Sequence, residues 1–248
     1  MTDETSIRAA VALVTGAGSG LGEATARAFA DAGGTVVCID RNADATARLL
    51  SELPRHAGEH LALACDVREA DQVQEAADET VQRLGRIDIL VNSAGIDHTH
   101  WVEELTVQQW DDVLDVNLRG PFLFAKAAWP QMRQQGRGHI FNIASTSSLR
   151  AASGASAYSA SKFGLLGLGR ALNLEGRTDN IRVTTVIPGG MRTHFFDRFA
   201  DQDIPMPDPA NLQDPANVAR AILFAAQMPY GSDVQELVIT SPKETAWP

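Results

Sequence analysis

Short runs rich in Val, Ile and Leu alternate along this chain with longer amphipathic stretches. The first run feeds directly into a glycine-rich turn, Thr15-Gly16-Ala17-Gly18-Ser19-Gly20-Leu21-Gly22. That order constrains the fold more than any other feature. Strands separated by helices pair in parallel, with the helices returning over the faces of the sheet. The pattern predicts strands over residues 10–15, 35–40, 61–65, 87–91, 139–144, 181–187 and 234–240. It predicts helices over 20–32, 43–57, 69–84, 155–177 and 217–227, the second ending early at Pro54. Residues 106–135 read as a long helical region bent near Gly120-Pro121, and the Pro- and Asp-rich stretch 201–214 as a surface loop. The expected fold class is α/β: a doubly wound, mostly parallel seven-stranded sheet with helices on both faces and ligands beyond the carboxyl ends of the strands. No composition break or internal repeat divides the chain, so residues 1–248 read as one domain.

Composition removes several functions. The formal charge of −10 leaves no basic surplus for a phosphate backbone, which argues against nucleic acid. No apolar run reaches about 18 residues, so no transmembrane helix is expected. The opening MTDETSIRAA is polar and acidic, unlike a signal peptide, and a cytoplasmic location is the default expectation. Cys38 and Cys65 each close a short apolar run and read as small buried hydrophobes, neither a disulfide nor half of a zinc site.

The glycine turn lies between a strand and a helix. Glycines let a backbone approach a pyrophosphate, and the helix behind them offers unpaired N–H groups and the positive end of its dipole. The spacing is T-G-x-x-x-G-x-G from Gly16 through Gly20 to Gly22, with Leu21 where the common dinucleotide fingerprint has its third glycine. A dinucleotide is the expected occupant. Asp40 ends the second strand, where a carboxylate accepts from a ribose diol and repels a 2′-phosphate; this favours NAD over NADP. Arg41 pulls the other way if it turns toward a phosphate, and Ser19 adds no charge to the loop. Asp66 follows the third strand and reads equally as an acceptor for an adenine amino group or as a turn or cap residue. Asn92-Ser93-Ala94-Gly95 closes the fourth strand with small residues that leave room for a flat group.

Tyr158 and Lys162 stand four residues apart in a predicted helix, on one face, with Ser145 thirteen residues upstream. A free phenol has a pKa of about 10; a nearby positive charge favours the phenolate and fits it for moving a proton on or off an alcohol oxygen.

Taken in order, these residues resemble the short-chain dehydrogenase/reductase family in its compact branch. The matches are TGAGSGLG at 15–22, Asp40, Asp66-Val67, NSAG at 92–95, Asn117, Ser145, YSASK at 158–162, and Pro188-Gly189 followed by Thr193. The resemblance implies a single NAD(P)-binding Rossmann-fold domain that transfers hydride between a nicotinamide ring and a carbonyl or alcohol carbon. It implies Tyr158 as general acid/base, Lys162 lowering its pKa and binding the nicotinamide ribose, and Ser145 bonding the substrate oxygen. Asn117 would hold a water that links Lys162 to solvent. Thr15 would brace the glycine turn, Gly16, Ser19, Gly20, Leu21 and Gly22 would cradle the phosphates, and Asp40, Arg41, Asp66 and Val67 would take the adenosine half. Asn92, Ala94, Gly95, Pro188, Gly189, Met191 and Thr193 would line the nicotinamide half, Thr193 binding the carboxamide. Where many members end in a strand close to V-D-G-G, this chain has Val234-Gln235-Glu236-Leu237-Val238. The family's usual tetramer is therefore in question. The expectation is a homodimer or homotetramer, a dimer pairing through 106–135 and 155–177.

Substrate contacts are expected from three loops. The candidates are Asp97, His98, His100 and Trp101, then Leu149, Arg150 and Ser153, then Gly190, Met191, His194, Phe195 and Phe196. Phe195 and Phe196 read as an apolar lid or as ordinary packing. Asp97, His98 and His100 read as loop residues with no metal. The first functional reading is an NAD-dependent oxidoreductase of a small secondary alcohol or ketone. The second is an NADPH-dependent 3-oxoacyl thioester reductase. A non-catalytic nucleotide sensor is the reading from another class, and the retained Asn117, Ser145, Tyr158 and Lys162 argue against it. A serine hydrolase fails for want of G-x-S-x-G.

Overall fold

The computed structural model describes residues 7–54, 59–202 and 204–244. Residues 55–57 of the second expected helix, the polar opening 1–6 and residues 245–248 lie outside them. The strands are β1 (Val11–Thr15), β2 (Thr35–Asp40), β3 (Leu61–Ala64), β4 (Ile89–Asn92), β5 (Gly138–Ile143), β6 (Ile181–Pro188) and β7 (Glu236–Ile239). They form one seven-stranded sheet in the order β3-β2-β1-β4-β5-β6-β7, and every neighbouring pair is parallel. The helices are α1 (Gly20–Asp31), α2 (Ala43–Glu52), α3 (Ala70–Leu84), α4 (Val107–Leu114), α5 (Gly120–Gln135), α6 (Ser156–Gly176), the single-turn α7 (Arg198–Asp201) and α8 (Pro215–Ala226). The Rossmann-like, doubly wound arrangement matches the sequence reading.

Both faces of the sheet are covered, so β1 and β5 are buried at every residue and read as continuous apolar runs. On one face Leu21, Ala26 and Phe29 of α1, Leu49 of α2 and Val218 and Ile222 of α8 pack with Val14, Val36 and Val91. On the other, Val73 of α3, Phe124 and Met132 of α5 and Leu172 of α6 pack with Leu13, Val37, Leu90 and Ile140. Cys38 and Cys65 are free and buried; burial pushes their thiols up to about 12 and about 11.

Two differences from the expected elements have clear causes. Residues 106–135 are two helices joined by a π-helical turn at Asp115–Arg119. Pro121 has no N–H, so the carbonyl four residues earlier, that of Asn117, loses its ordinary helical donor, and the ladder widens just before it. Helix α8 starts two residues early because Asp214 accepts the Ala216 N–H and Pro215 sits in the first turn.

The strand order reverses direction between β1 and β4, and the two turns that leave these strands touch. Gly16 has φ +67°, and a Cβ there would stand 2.8 Å from Ala94 Cα. Gly16→Ala meets both the left-handed penalty and a backbone clash, together roughly 2–4 kcal/mol. Calorimetry should show the melting temperature lowered by roughly 5–15 °C; a shift below about 1 °C would mean the two turns are not in contact.

Candidate active site

Thr15 ends β1 and ties the switch point together. Its Oγ1 accepts from the N–H groups of Ser93 (3.0 Å) and Ala94 (3.1 Å) and donates to Val91 O. The brace is to the β4 turn, so the glycine loop is held against it. Gly20 faces Thr193 from the β6 loop: a Cβ on Gly20 would lie 3.3 Å from Thr193 Cγ2. A cleft of about 750 Å³ opens along this seam. Gly16, Ser19, Gly20, Leu21, Gly22, Asp40, Arg41, Asp66, Val67, Ala94 and Gly95 line it, as do Ser145, Tyr158, Lys162, Pro188, Gly189, Gly190, Met191, Thr193, His194 and Phe195. Loop glycines at the N-terminus of α1 and a carboxylate at the end of β2 fit a dinucleotide.

Asp40 is held in place by two backbone N–H groups, Gly18 at 3.0 Å and Asn42 at 2.9 Å. Arg41 is exposed. Asp66 accepts the Arg68 N–H in a tight turn and forms a bidentate pair with the Arg68 guanidinium, whose other nitrogen reaches Asp112 at 2.9 Å. The Arg68 hydrogen bond holds the Asp66 carboxyl below its ordinary value. The cap of α3 is Glu69, so of the local roles expected for Asp66 the turn is realised. Asn92 is buried and donates to Asn142 Oδ1 at 2.9 Å.

Helix α6 carries Tyr158 and Lys162 over the end of the sheet. It lies close to β6: a Cβ on Gly169 would fall 2.2 Å from Thr185 Oγ1. Lys162 is 4% exposed, and its Nζ donates to the carbonyl of Ile143, the last residue of β5, at 2.8 Å. The same Nζ stands 5.5 Å from the centre of the Tyr158 ring. Ser145, two residues past Ile143, lies in the same cleft and lowers the pKa of the phenol. Its Oγ also accepts the Ser147 N–H at 3.1 Å. Burial pushes the Tyr158 phenol up to about 12, Ser145 and Arg198 pull it down, and Asp97 raises it. Burial brings the Lys162 ammonium down to about 8, with Asp97 acting against it. In the protein alone burial outweighs Ser145 and Arg198, so the phenol sits above its ordinary value, where proximity to Lys162 led us to expect it below.

The Asn117 side chain is fully committed. Its amide donates to Ile96 O (2.8 Å) and Ser161 Oγ (3.1 Å), and its Oδ1 accepts the Ile96 N–H at 2.8 Å.

Several expected substrate residues are elsewhere. Trp101 is 62% exposed, Arg150 and Ser153 are exposed, and these three and His98 do not line the cleft. The loop after β4 instead docks on the segment that carries Phe195 and Arg198. Asp97 Oδ2 accepts from Thr99 Oγ1 and from Arg198 Nη2 at 2.7 Å. Arg198 stacks on Phe195 and Phe199 and donates to Phe195 O. Phe195 packs on Tyr158, ring centres 5.5 Å apart. Among the described residues, no group of three or more His, Cys, Asp or Glu is placed to hold a metal, and no helix is long and apolar enough to cross a membrane. Sequence reading missed Arg68, Asp208, Asn211, Leu212 and Glu244 as lining residues; the Pro- and Asp-rich composition of 201–214 gave only a loop signal.

A profile of the short chain dehydrogenase family matches residues 10–203. The chain is 44% identical over 178 residues to the D-threitol dehydrogenase of Mycolicibacterium smegmatis, which is 72% of this chain and 68% of that relative. It is 35% identical over 224 residues to the 3-oxoacyl-[acyl-carrier-protein] reductase of Bos taurus, 89% of this chain and 92% of the other. The crystal structure of the 3-ketoacyl-(acyl-carrier-protein) reductase from Brucella melitensis complexed with NADH is similar with a TM-score of 0.84 at 30% identity, over 96% of this chain and 99% of that one. The chain belongs to the short-chain dehydrogenase/reductase family. It is an NAD(P)-dependent oxidoreductase that acts on a CH–OH group or the corresponding ketone.

The depressed Lys162 pKa has a consequence for stability. Between about 8 and 10.5 the unfolded lysine holds its proton and the folded one has lost it. The unfolded state then binds more protons, so this residue's contribution to stability rises with pH across that window. Denaturant titrations should show the native chain gaining on Lys162→Met from pH 8 to pH 10.5; a constant difference would show that the ammonium is not desolvated.

Proposed function

We propose that the chain transfers hydride between NAD(H) and a small secondary alcohol or its ketone, with Tyr158 as the general acid/base. The observation that carries this reading is the convergence of Ser145, Tyr158 and Lys162 at one end of the dinucleotide cleft. A bound nicotinamide dinucleotide supplies or accepts the hydride. The Gly16–Gly22 loop and the first turn of α1 hold its phosphates, Asp40 its adenosine ribose, and Lys162 and Thr193 its nicotinamide end. In reduction Tyr158 delivers its proton to the carbonyl oxygen as charge develops there, and Ser145 donates a hydrogen bond to the same oxygen. In oxidation the phenolate takes the proton back, and its pKa of about 12 in the protein alone means that added positive charge is needed to form it near neutrality. Lys162 and a water on the Asn117 carbonyl restore the proton from solvent. Phe195 and Phe196 exclude water as a lid held by the Asp97–Arg198 pair.

The family resemblance to a D-threitol dehydrogenase and to 3-oxoacyl carrier-protein reductases leaves both alcohol and thioester chemistry within reach. Asp40, whose fixed carboxylate disfavours a 2′-phosphate, favours NADH over NADPH as the dinucleotide for either chemistry. Residues 7–244 act as one dinucleotide-binding unit. Exposed Phe122, Phe163 and Leu174 on α5 and α6 support a homodimer through those helices.

Tyr158→Phe should retain the dinucleotide dissociation constant within about threefold and lose 10²- to 10⁴-fold in kcat, on the order expected for one proton-transfer group. Unchanged turnover would remove Tyr158 from the mechanism. Fluorescence titration should give NADH at least about tenfold tighter than NADPH, a gap that closes in Asp40→Ala. Tighter NADPH binding by the native chain would reverse the cofactor assignment.

A further inference from the structure

Asp97, two residues past Gly95 in the loop after β4, is paired on one oxygen only. Its side chain is 3% exposed. Oδ2 accepts from Thr99 Oγ1 at 3.0 Å and from Arg198 Nη2 at 2.7 Å. Oδ1 is buried and has no hydrogen-bond partner among the described residues. Asp66, by contrast, meets its arginine with both oxygens. A buried carboxylate left half-satisfied is a poor fastening, because the oxygen without a donor keeps its desolvation cost. Such an exception calls for a reason other than stability. The charge that it places beside the active site supplies one.

Arg198 is fully engaged. Its Nη2 bonds Asp97, its Nε reaches Thr99 Oγ1 at 3.4 Å, and its Nη1 donates to Phe195 O. The guanidinium lies 4.2 Å from the centre of the Phe195 ring, and that ring packs on Tyr158 with centres 5.5 Å apart. A single aromatic ring therefore links the cation to the phenol. The two charges act on the phenol in opposite senses: Asp97 favours its protonated form and Arg198 its ionised form. Asp97 also favours the charged form of Lys162. The other elements around Tyr158 add little charge. Helix α6 contributes Lys162, 5.5 Å from the ring centre, and the loop after β5 contributes the neutral Ser145. His194 and Asp197, both exposed, pair with each other at 2.8 Å, and Arg192 pairs with Asp214.

We propose that Asp97 and Arg198 are positioning residues that set the charge state of Tyr158, the carboxylate holding the proton on and the guanidinium easing it off. Asp97 belongs to the loop after β4 and Arg198 to α7, so the guanidinium serves the phenol only while these two segments are docked. With them apart, the carboxylate alone faces Tyr158 and Lys162, and the phenol keeps its proton. With them docked, the two charges offset each other and the proton is free to move. Proton transfer is thereby tied to a closed cleft. The proposal rests on Tyr158 as the general acid/base and adds what tunes it.

Ionisation of Tyr158 in the full chain without dinucleotide tests this, and no turnover is involved. Biosynthetic 3-fluorotyrosine makes both phenols stronger acids and brings their titration to lower pH. Fluorine NMR follows Tyr158 and Tyr230 separately, with Tyr158→Phe identifying the signals, and circular dichroism checks the fold at each pH. Asp97→Asn and Arg198→Met break the same 2.7 Å bond. A purely mechanical latch would shift the ionisation with the same sign in both. Opposed charges give opposite signs: Asp97→Asn should ionise at lower pH than the native chain and Arg198→Met at higher pH, each by about half a unit or more. Arg198→Lys keeps the charge and should stay within about 0.3 unit of native. Shifts of one sign, no shift in either variant, or an Arg198→Lys that behaves as Arg198→Met overturns the proposal. Should Arg198→Met fail to fold, Asp97→Asn and Arg198→Lys decide by the same criteria. A failed titration counts against this inference alone. Unimpaired turnover by Tyr158→Phe counts against the acid/base reading, and this inference falls with it.

Discussion

The bond from Lys162 Nζ to the Ile143 carbonyl fixes the site. An ammonium that is 4% exposed needs a partner, and it finds the last carbonyl of a central strand. That contact ties α6 to the end of β5, beside the packing of Leu165 and Leu166 on Ala144 and Ile187. Ser145 follows two residues beyond that carbonyl and Tyr158 precedes Lys162 by one turn, so both reach the same point. The close approach of Gly169 to β6 lets the helix lie near enough for the bond to form. Burial that positions the groups also shifts them, the phenol upward and the amine downward. The protein alone thus holds Tyr158 as an acid at neutral pH.

The other half of the cleft depends on a neutral group. Thr15 gathers the N–H groups of Ser93 and Ala94 and so closes the seam between β1 and β4. With Gly16 pressed against Ala94, the strand ends leave a groove where the topology reverses. Asp40 is oriented by backbone donors from the glycine loop and from the start of α2. Two separate turns therefore share one carboxylate.

Local spacing made much of this legible. The glycine turn, Asp40 and the Tyr158–Lys162 pair are short-range patterns whose geometry follows from a strand, a turn or one turn of helix. Tertiary convergence was not legible in the same way. Residues 201–214 read as a loop, yet Gln213 of that stretch pairs with Met191 and donates to Ile239 O. Glu244 enters the cleft because the segment after β7 meets Gly190, a contact 54 residues apart in sequence. Trp101, Arg150 and Ser153 lie on the loops after β4 and β5 but do not line the cleft, because a loop's position does not fix which of its side chains turn inward. Asn117 lies in the π-turn that Pro121 imposes on the helical region, and its amide serves the Ile96 backbone and Ser161, neither of which its spacing revealed.

The most direct test is a spectroscopic titration of the phenol. The chain has two tyrosines, Tyr158 and Tyr230, so subtracting Tyr158→Phe isolates one tyrosinate band. The account predicts that Tyr158 in the protein alone ionises only near pH 12, and that saturating NAD⁺ moves its ionisation to lower pH by adding positive charge beside it. A band that appears at the same pH with and without NAD⁺, or one centred near the ordinary phenol value in the protein alone, would contradict it.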